Sequence, residues 1–204
     1  MTVGVIAGFA EHGTRAALLY VDGGPDLYTP DTRPNGNFDA MGLAHLLAIP
    51  GHVSEVAGVG RTTPLLAARD VVSYGHTLPE GDLELRLLDE LEVTHLHADE
   101  VHADPAGAAG RARCAMEETR APFVVHCDVD VLSFADTPLA DVPDSGGDPI
   151  GLRLDELAAS LAVFAASSRF AGLVLTEINP DHAPDPGVLR HFLVVLADAL
   201  AEAR

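Results

Sequence analysis

Two aspartates stand one residue apart, Asp128 and Asp130, in the apolar run "VVHCDVDVLSF" (124–134). Residues i and i+2 of a strand face the same side. Neighbouring carboxylates repel unless a positive charge lies between them. A divalent metal ion meets that need; a solvated strand rim is the plainer alternative. Asp22 closes a second apolar run, "ALLYVD" (17–22), with Asp26 just beyond it. Glu177 stands near the end of a third, "FAGLVLTEINP" (170–180), which a proline terminates. Clustered carboxylates are hard oxygen donors of the kind that hold Mn²⁺ or Mg²⁺.

Something must bring these run ends together. β-Prone runs alternate with helical patterns along the chain. Strands are expected at 17–22, within "PLLAARDVVSYG" (64–75), at "THLHA" (94–98), at "PFVVHCD" (122–128) and at 170–180. Helices are expected at 38–49, at 82–93 with Asp82 as N-cap, at 104–119 behind an Asp-Pro start, at 152–167 and at 186–204. Such alternation predicts βαβ units and a mainly parallel sheet. Continuous apolar strands predict helices on both faces, hence a three-layer α-β-α fold. Ligands of such sheets bind beyond the carboxyl ends of the strands, where Asp22, Asp128 and Glu177 all stand. His126 alternates with Asp128 and shares its side of the strand, as a substitute ligand or as an ordinary core histidine. Cys127 faces the opposite side and reads as a small buried apolar residue.

The formal net charge is −19 over 204 residues, and every basic side chain other than histidine is an arginine. This balance argues against nucleic acid and anionic membrane as partners and favours cations and cationic substrates. No apolar run is long and clean enough to span a bilayer, and the N-terminus lacks the basic region of a signal peptide. Two cysteines form no disulfide framework, so a cytoplasmic setting is the expectation.

Three segments occur in a telling order: Asp22-Gly23-Gly24-Pro25-Asp26; Asp128-Val129-Asp130 with a loop closing at Val142-Pro143-Asp144-Ser145-Gly146-Gly147; and Glu177-Ile178-Asn179-Pro180. In order and nearly in spacing they resemble the motifs of the arginase/agmatinase family of ureohydrolases. "TPDTRPNGN" (29–37) is similar to the arginase substrate loop, with Asn37 at its asparagine. The resemblance implies an arginase-like α/β fold and two Mn²⁺ ions that activate water toward a guanidinium carbon. It implies Asp22 and Asp128 as shared metal ligands, with Asp26 and Asp130 each completing one metal's shell. Glu177 would orient a small guanidino or amidino substrate. A homo-oligomer is compatible with it.

Departures from the family pattern carry their own expectations. Gly24 stands where the family has a metal-binding histidine. Asp39 replaces the proton-shuttling histidine, as an acid/base in its place or as a helix N-cap. Arg69-Asp70-Val71-Val72 matches an arginase loop ending in aspartate, so an anchor for the substrate's amino group is expected to be missing at Val72. "TVGVIAGF" (2–9) looks like a helix that follows an upstream Gly-Gly-Asp-His motif, so one domain over 1–204 without the family's N-terminal segment is expected. The expected activity is metal-dependent hydrolysis of a linear C–N bond. The rival is a non-catalytic metal-binding or assembly subunit of the same family.

Overall fold

A computed structural model describes residues 1–140 and 151–202. Helix α1 (Thr2–Glu11) leads into β1 (Ala17–Val21); a 3-10 turn, Asp39–Met41, precedes α2 (Gly42–Leu47) and the short α3 (Ser54–Ala57). Then come β2 (Val71–His76), α4 (Leu83–Glu90), β3 (Thr94–His97), α5 (Ala98–Ala103), α6 (Pro105–Glu118) and β4 (Phe123–Asp128). The chain closes with α7 (Leu154–Ala165), β5 (Phe170–Thr176) and α8 (Pro186–Glu202). The expected helix at 38–49 is thus split by a kink at Ala40. The expected strand in 64–75 begins only at Val71.

All five strands run parallel, in the order β3-β2-β1-β4-β5. β1, β2 and β4 are buried along their whole length, as continuous apolar runs require. Strand periodicity divides the core in two. Leu19, Val21, Tyr74, Val125 and Cys127 pack with Ala112 of α6, Leu161 and Phe164 of α7 and Phe192 of α8. Leu18, Tyr20 and Val124 pack on the other face with Ile6 of α1, Leu43 and Leu46 of α2 and Leu88 of α4. Burying each such side chain contributes about 1.5–3 kcal/mol. The architecture is the expected three layers.

Local chemistry sets the helix starts. Asp82 accepts from Glu84 N at 2.7 Å, which caps α4 as its position suggested. Asp104 caps α6, whose first residue is Pro105. Among the described residues no helix is long and apolar enough to cross a membrane.

Candidate metal and catalytic site

The register of β1 against β4 pairs Tyr20 with His126, and their rings stack at 4.1 Å between centroids. Two residues further on, the same face carries Asp22 and Asp128 side by side at the carboxyl edge. One ligand atom each from Asp22, His126 and Asp128 lie within 4.8 Å of one another, and so do those of Asp39, Asp128 and Glu177. Asp128 therefore belongs to both groups. It is held by two donors, Asp130 N at 3.0 Å and the Thr176 hydroxyl of β5 at 2.7 Å. Gly23 N donates to Asp130 at 3.0 Å, and Gly24 N donates to Asp22 at 2.9 Å. The Tyr20 hydroxyl donates to Asp26. A Cβ on Gly23 would crowd Asp130 O at 3.0 Å, so this approach of the two loops favours glycine.

Asp26 and Glu177 both adopt left-handed backbone, at φ 52° and 59°. For a residue with a Cβ this costs of order 1–3 kcal/mol. Both flank a cavity of about 280 Å³ whose wall also includes Asp22, Asn37, Asp39, Glu84 and Asp130.

The carboxylates resist ionisation. Burial pushes Asp22 well above the usual aspartate range, and the charges of Asp26, Asp130 and Asp128 push it further. Asp26 is also raised well, by burial first, against the opposing hydrogen bond from Tyr20. Asp128 rises to about 7 through burial and then the charge of Asp130. Asp130 is raised by burial, with hydrogen bonds from Gly23 and Asp22 opposing. Glu177 rises to about 8 through burial, then through the charges of Asp128 and Asp39. The cluster carries more negative charge than its own donors can balance.

The sequence-derived residues mostly meet here. Asp22, Asp26, Asp128, Asp130 and Glu177 share one edge. Asp39 joins Asp128 and Glu177 while remaining exposed, and it is the first residue of its 3-10 turn, whose N-cap is Phe38. Asn37 is exposed at the rim, beside Arg33 and Tyr28. The loop at 142–147 lies outside the described residues. Val72 corrects the expectation placed on it: it is the second residue of β2, buried in the core, with Asp70 ion-paired to Arg15 just before the strand. That end of a parallel sheet is opposite the site, so Val72 faces no substrate. A Cβ at Gly24, by contrast, would meet only Glu84 Oε2 at 3.8 Å, leaving room for a larger side chain.

Two residues outside the motifs belong to the site. Glu84, in the first turn of α4, is 4% exposed and accepts from Leu27 N at 2.7 Å. Burial, more than the neighbouring Asp82, raises it to about 7. Its sequence position is that of an ordinary first-turn acid and gave no signal. His126 is 5% exposed, and burial lowers it to about 3, so its ring is neutral. Alternation with Asp128 had flagged it. A hard divalent cation suits this donor set: clustered carboxylate oxygens, excess negative charge and a neutral imidazole.

A family model described as the Arginase family matches residues 1–198. Arginase-1 of Oryctolagus cuniculus is 26% identical over 196 residues, covering 91% of this chain and 57% of the relative. Arginase of Bacillus subtilis is 29% identical over 191 residues, covering 92% and 62%. The native structure of arginase from Bacillus caldovelox superposes with a TM-score of 0.82 at 25% identity, covering 97% of this chain and 64% of that one. Formimidoylglutamase of Bacillus subtilis, at 17% identity and a TM-score of 0.77, shares the fold. The chain spans less than two thirds of the length of each of these proteins.

Proposed function

We propose, since the chain belongs to the arginase family, that it is a divergent metal-dependent hydrolase acting on a linear C–N bond of a small guanidino or amidino compound. The observation that carries this reading is Asp128, shared by two groups of ligand atoms each within 4.8 Å, at the carboxyl edge of a parallel sheet. Asp22 and Asp128 would hold the cation or cations jointly, and Asp26 and Asp130 would each complete one coordination shell. When bound, Mn²⁺ supplies Lewis-acid polarisation and a water of lowered pKa.

The remaining work falls to the chain's own groups. Glu177 reaches the cavity from a left-handed turn and would pair with the cationic guanidinium. It retains its proton to about pH 8 beside Asp39. A guanidinium arriving there would favour the ionised pair, since an opposite charge lowers a carboxyl pKa. Asp39, exposed at the cavity wall, would pass a proton between solvent and the departing nitrogen. Asn37 and Arg33 at the rim would contact the rest of the substrate.

The test is product release with added Mn²⁺: urea from L-arginine, agmatine and 4-guanidinobutyrate, and formamide from an N-formimino amino acid. Activity on one of them that Asp128→Asn abolishes supports the reading. Activity on none, with Mn²⁺ bound, moves the assignment to a non-catalytic metal-binding member. Gly24→His, at a position where a Cβ meets only Glu84 Oε2 at 3.8 Å, tests whether the family's imidazole is the missing element.

A further inference from the structure

We propose that His126 is itself a metal ligand, giving its Nε2 lone pair to a cation that Asp22 and Asp128 also hold. This rests on the metal-dependent reading above.

The His126 side chain is 6% exposed, and its Nε2 is buried without a hydrogen-bond partner. A buried polar atom left in that state costs about 1–3 kcal/mol. Nε2 lies 3.4 Å from Asp22 Oδ2, and a ring nitrogen of His126 lies within 4.8 Å of an Asp128 oxygen. Nδ1 lies 2.7 Å from Thr2 Oγ1 of α1, and Tyr20 stacks on one face of the ring, so the ring is held by its edge and by that face. If Nδ1–H donates to Thr2, Nε2 presents a lone pair to two carboxylates. Lone pair and carboxylates then repel, and a cation among them converts three repulsions into three bonds. Two donors on one ion with bonds of roughly 2.1 Å lie no more than about 4.2 Å apart; the Asp22 pair meets this at 3.4 Å, and the Asp128 oxygen, within 4.8 Å, needs to approach by no more than about 0.6 Å. A ligating histidine ordinarily gives its other N–H to a fixed acceptor, the part Thr2 plays here.

The consequence is specific to this chain. Position 24 is glycine and supplies no imidazole, and His126 brings one to the same cluster from the neighbouring strand. A nitrogen donor biases the site from Mg²⁺ toward Mn²⁺ and later transition ions.

The test measures Mn²⁺ and Mg²⁺ affinity by equilibrium dialysis for the wild-type chain and His126→Gln. It also records electron spin echo modulation of the bound Mn²⁺ for directly coordinated nitrogen. The expected result is a nitrogen signal in the wild type, absent in the variant. Mn²⁺ affinity should fall roughly tenfold or more, with Mg²⁺ affinity less affected. Mn²⁺ bound without a nitrogen signal, or with equal affinity in the variant, overturns the role of His126 and leaves the hydrolase reading standing. No Mn²⁺ bound by the wild type defeats both. Should His126→Gln fail to fold, the wild-type signal decides alone.

Discussion

Replacing Glu84 by glutamine should stabilise the metal-free protein, and by an amount that depends on pH. Glu84 is buried, and its pKa moves from an ordinary 4.5 to about 7 in the fold. A raised folded-state pKa means that its stabilising contribution is complete below 4.5 and is lost as pH rises through about 7. At roughly 1.4 kcal/mol per pH unit, the full cost of holding Glu84 ionised is about 3 kcal/mol at pH 8. At pH 5 it falls to about 1 kcal/mol. Glutamine keeps the acceptor for Leu27 N and turns its NH₂ toward the anionic cavity, where Oε2 now lies beside Gly24, 3.8 Å from where a Cβ on that residue would stand. For a chain of this size 1 kcal/mol shifts Tm by about 2–4 °C. Thermal melts in chelator should therefore show Glu84→Gln gaining roughly 6–12 °C at pH 8 and only about 2–4 °C at pH 5. An equal gain at both pH values, or no gain at pH 8, would refute burial as the origin of the raised pKa.

Asp128→Asn should abolish the rise in Tm that Mn²⁺ gives the wild type, a rise worth about 2.7 kcal/mol at a hundredfold excess over Kd; calorimetry with and without metal reads it. Gly23→Ala should weaken Mn²⁺ binding by separating Asp22 from Asp130, since its Cβ would meet Asp130 O at 3.0 Å, whereas Gly24→Ala should bind normally in the same titration. Phe164→Ala should cost about 3–5 kcal/mol in urea denaturation, because the ring is fully buried and packs edge-on against Tyr74.

The sheet was legible because its central strands are uninterrupted apolar runs, and the site because three of those runs end beside carboxylates. What escaped the sequence did so for physical reasons. The segment before Val71 is as apolar as the strand, and nothing in composition marks where the ladder begins. For the same reason Arg69–Val72 could be read as a site loop although it opens β2: an apolar run carries no label for which end faces the ligand. Helix α5 is six residues of mixed polarity, held by a cap from the His97 side chain that no periodicity announces. Glu84 looks like any first-turn acid until α4 packs against the loop carrying Asp26. His126 was placed on the right face by alternation, but the direction of its Nε2 depends on Thr2, 124 residues away.

The costs gathered at this edge point the same way. Burial or like charge raises Asp22, Asp26, Asp128, Asp130 and Glu177 together. Two of the five also sit in left-handed backbone. Each feature opposes folding in the absence of a cation, so the surrounding core must offset them. Central strands buried on both faces can do so, with Phe123, Phe164 and Phe192 fully enclosed on one side and Leu18, Leu43 and Leu46 on the other. A site that merely decorated a solvated rim would have relaxed its carboxylates outward, because nothing would hold them inward against their repulsion. Here Thr176, Gly23, Gly24, Tyr20 and the Asp130 amide each donate to one of them, which fixes the oxygens close together rather than neutralising them. Neutral donors that orient without cancelling charge leave the cancellation to something positive. On a chain with a formal charge of −19, a cation or a cationic substrate is the species the surrounding field concentrates.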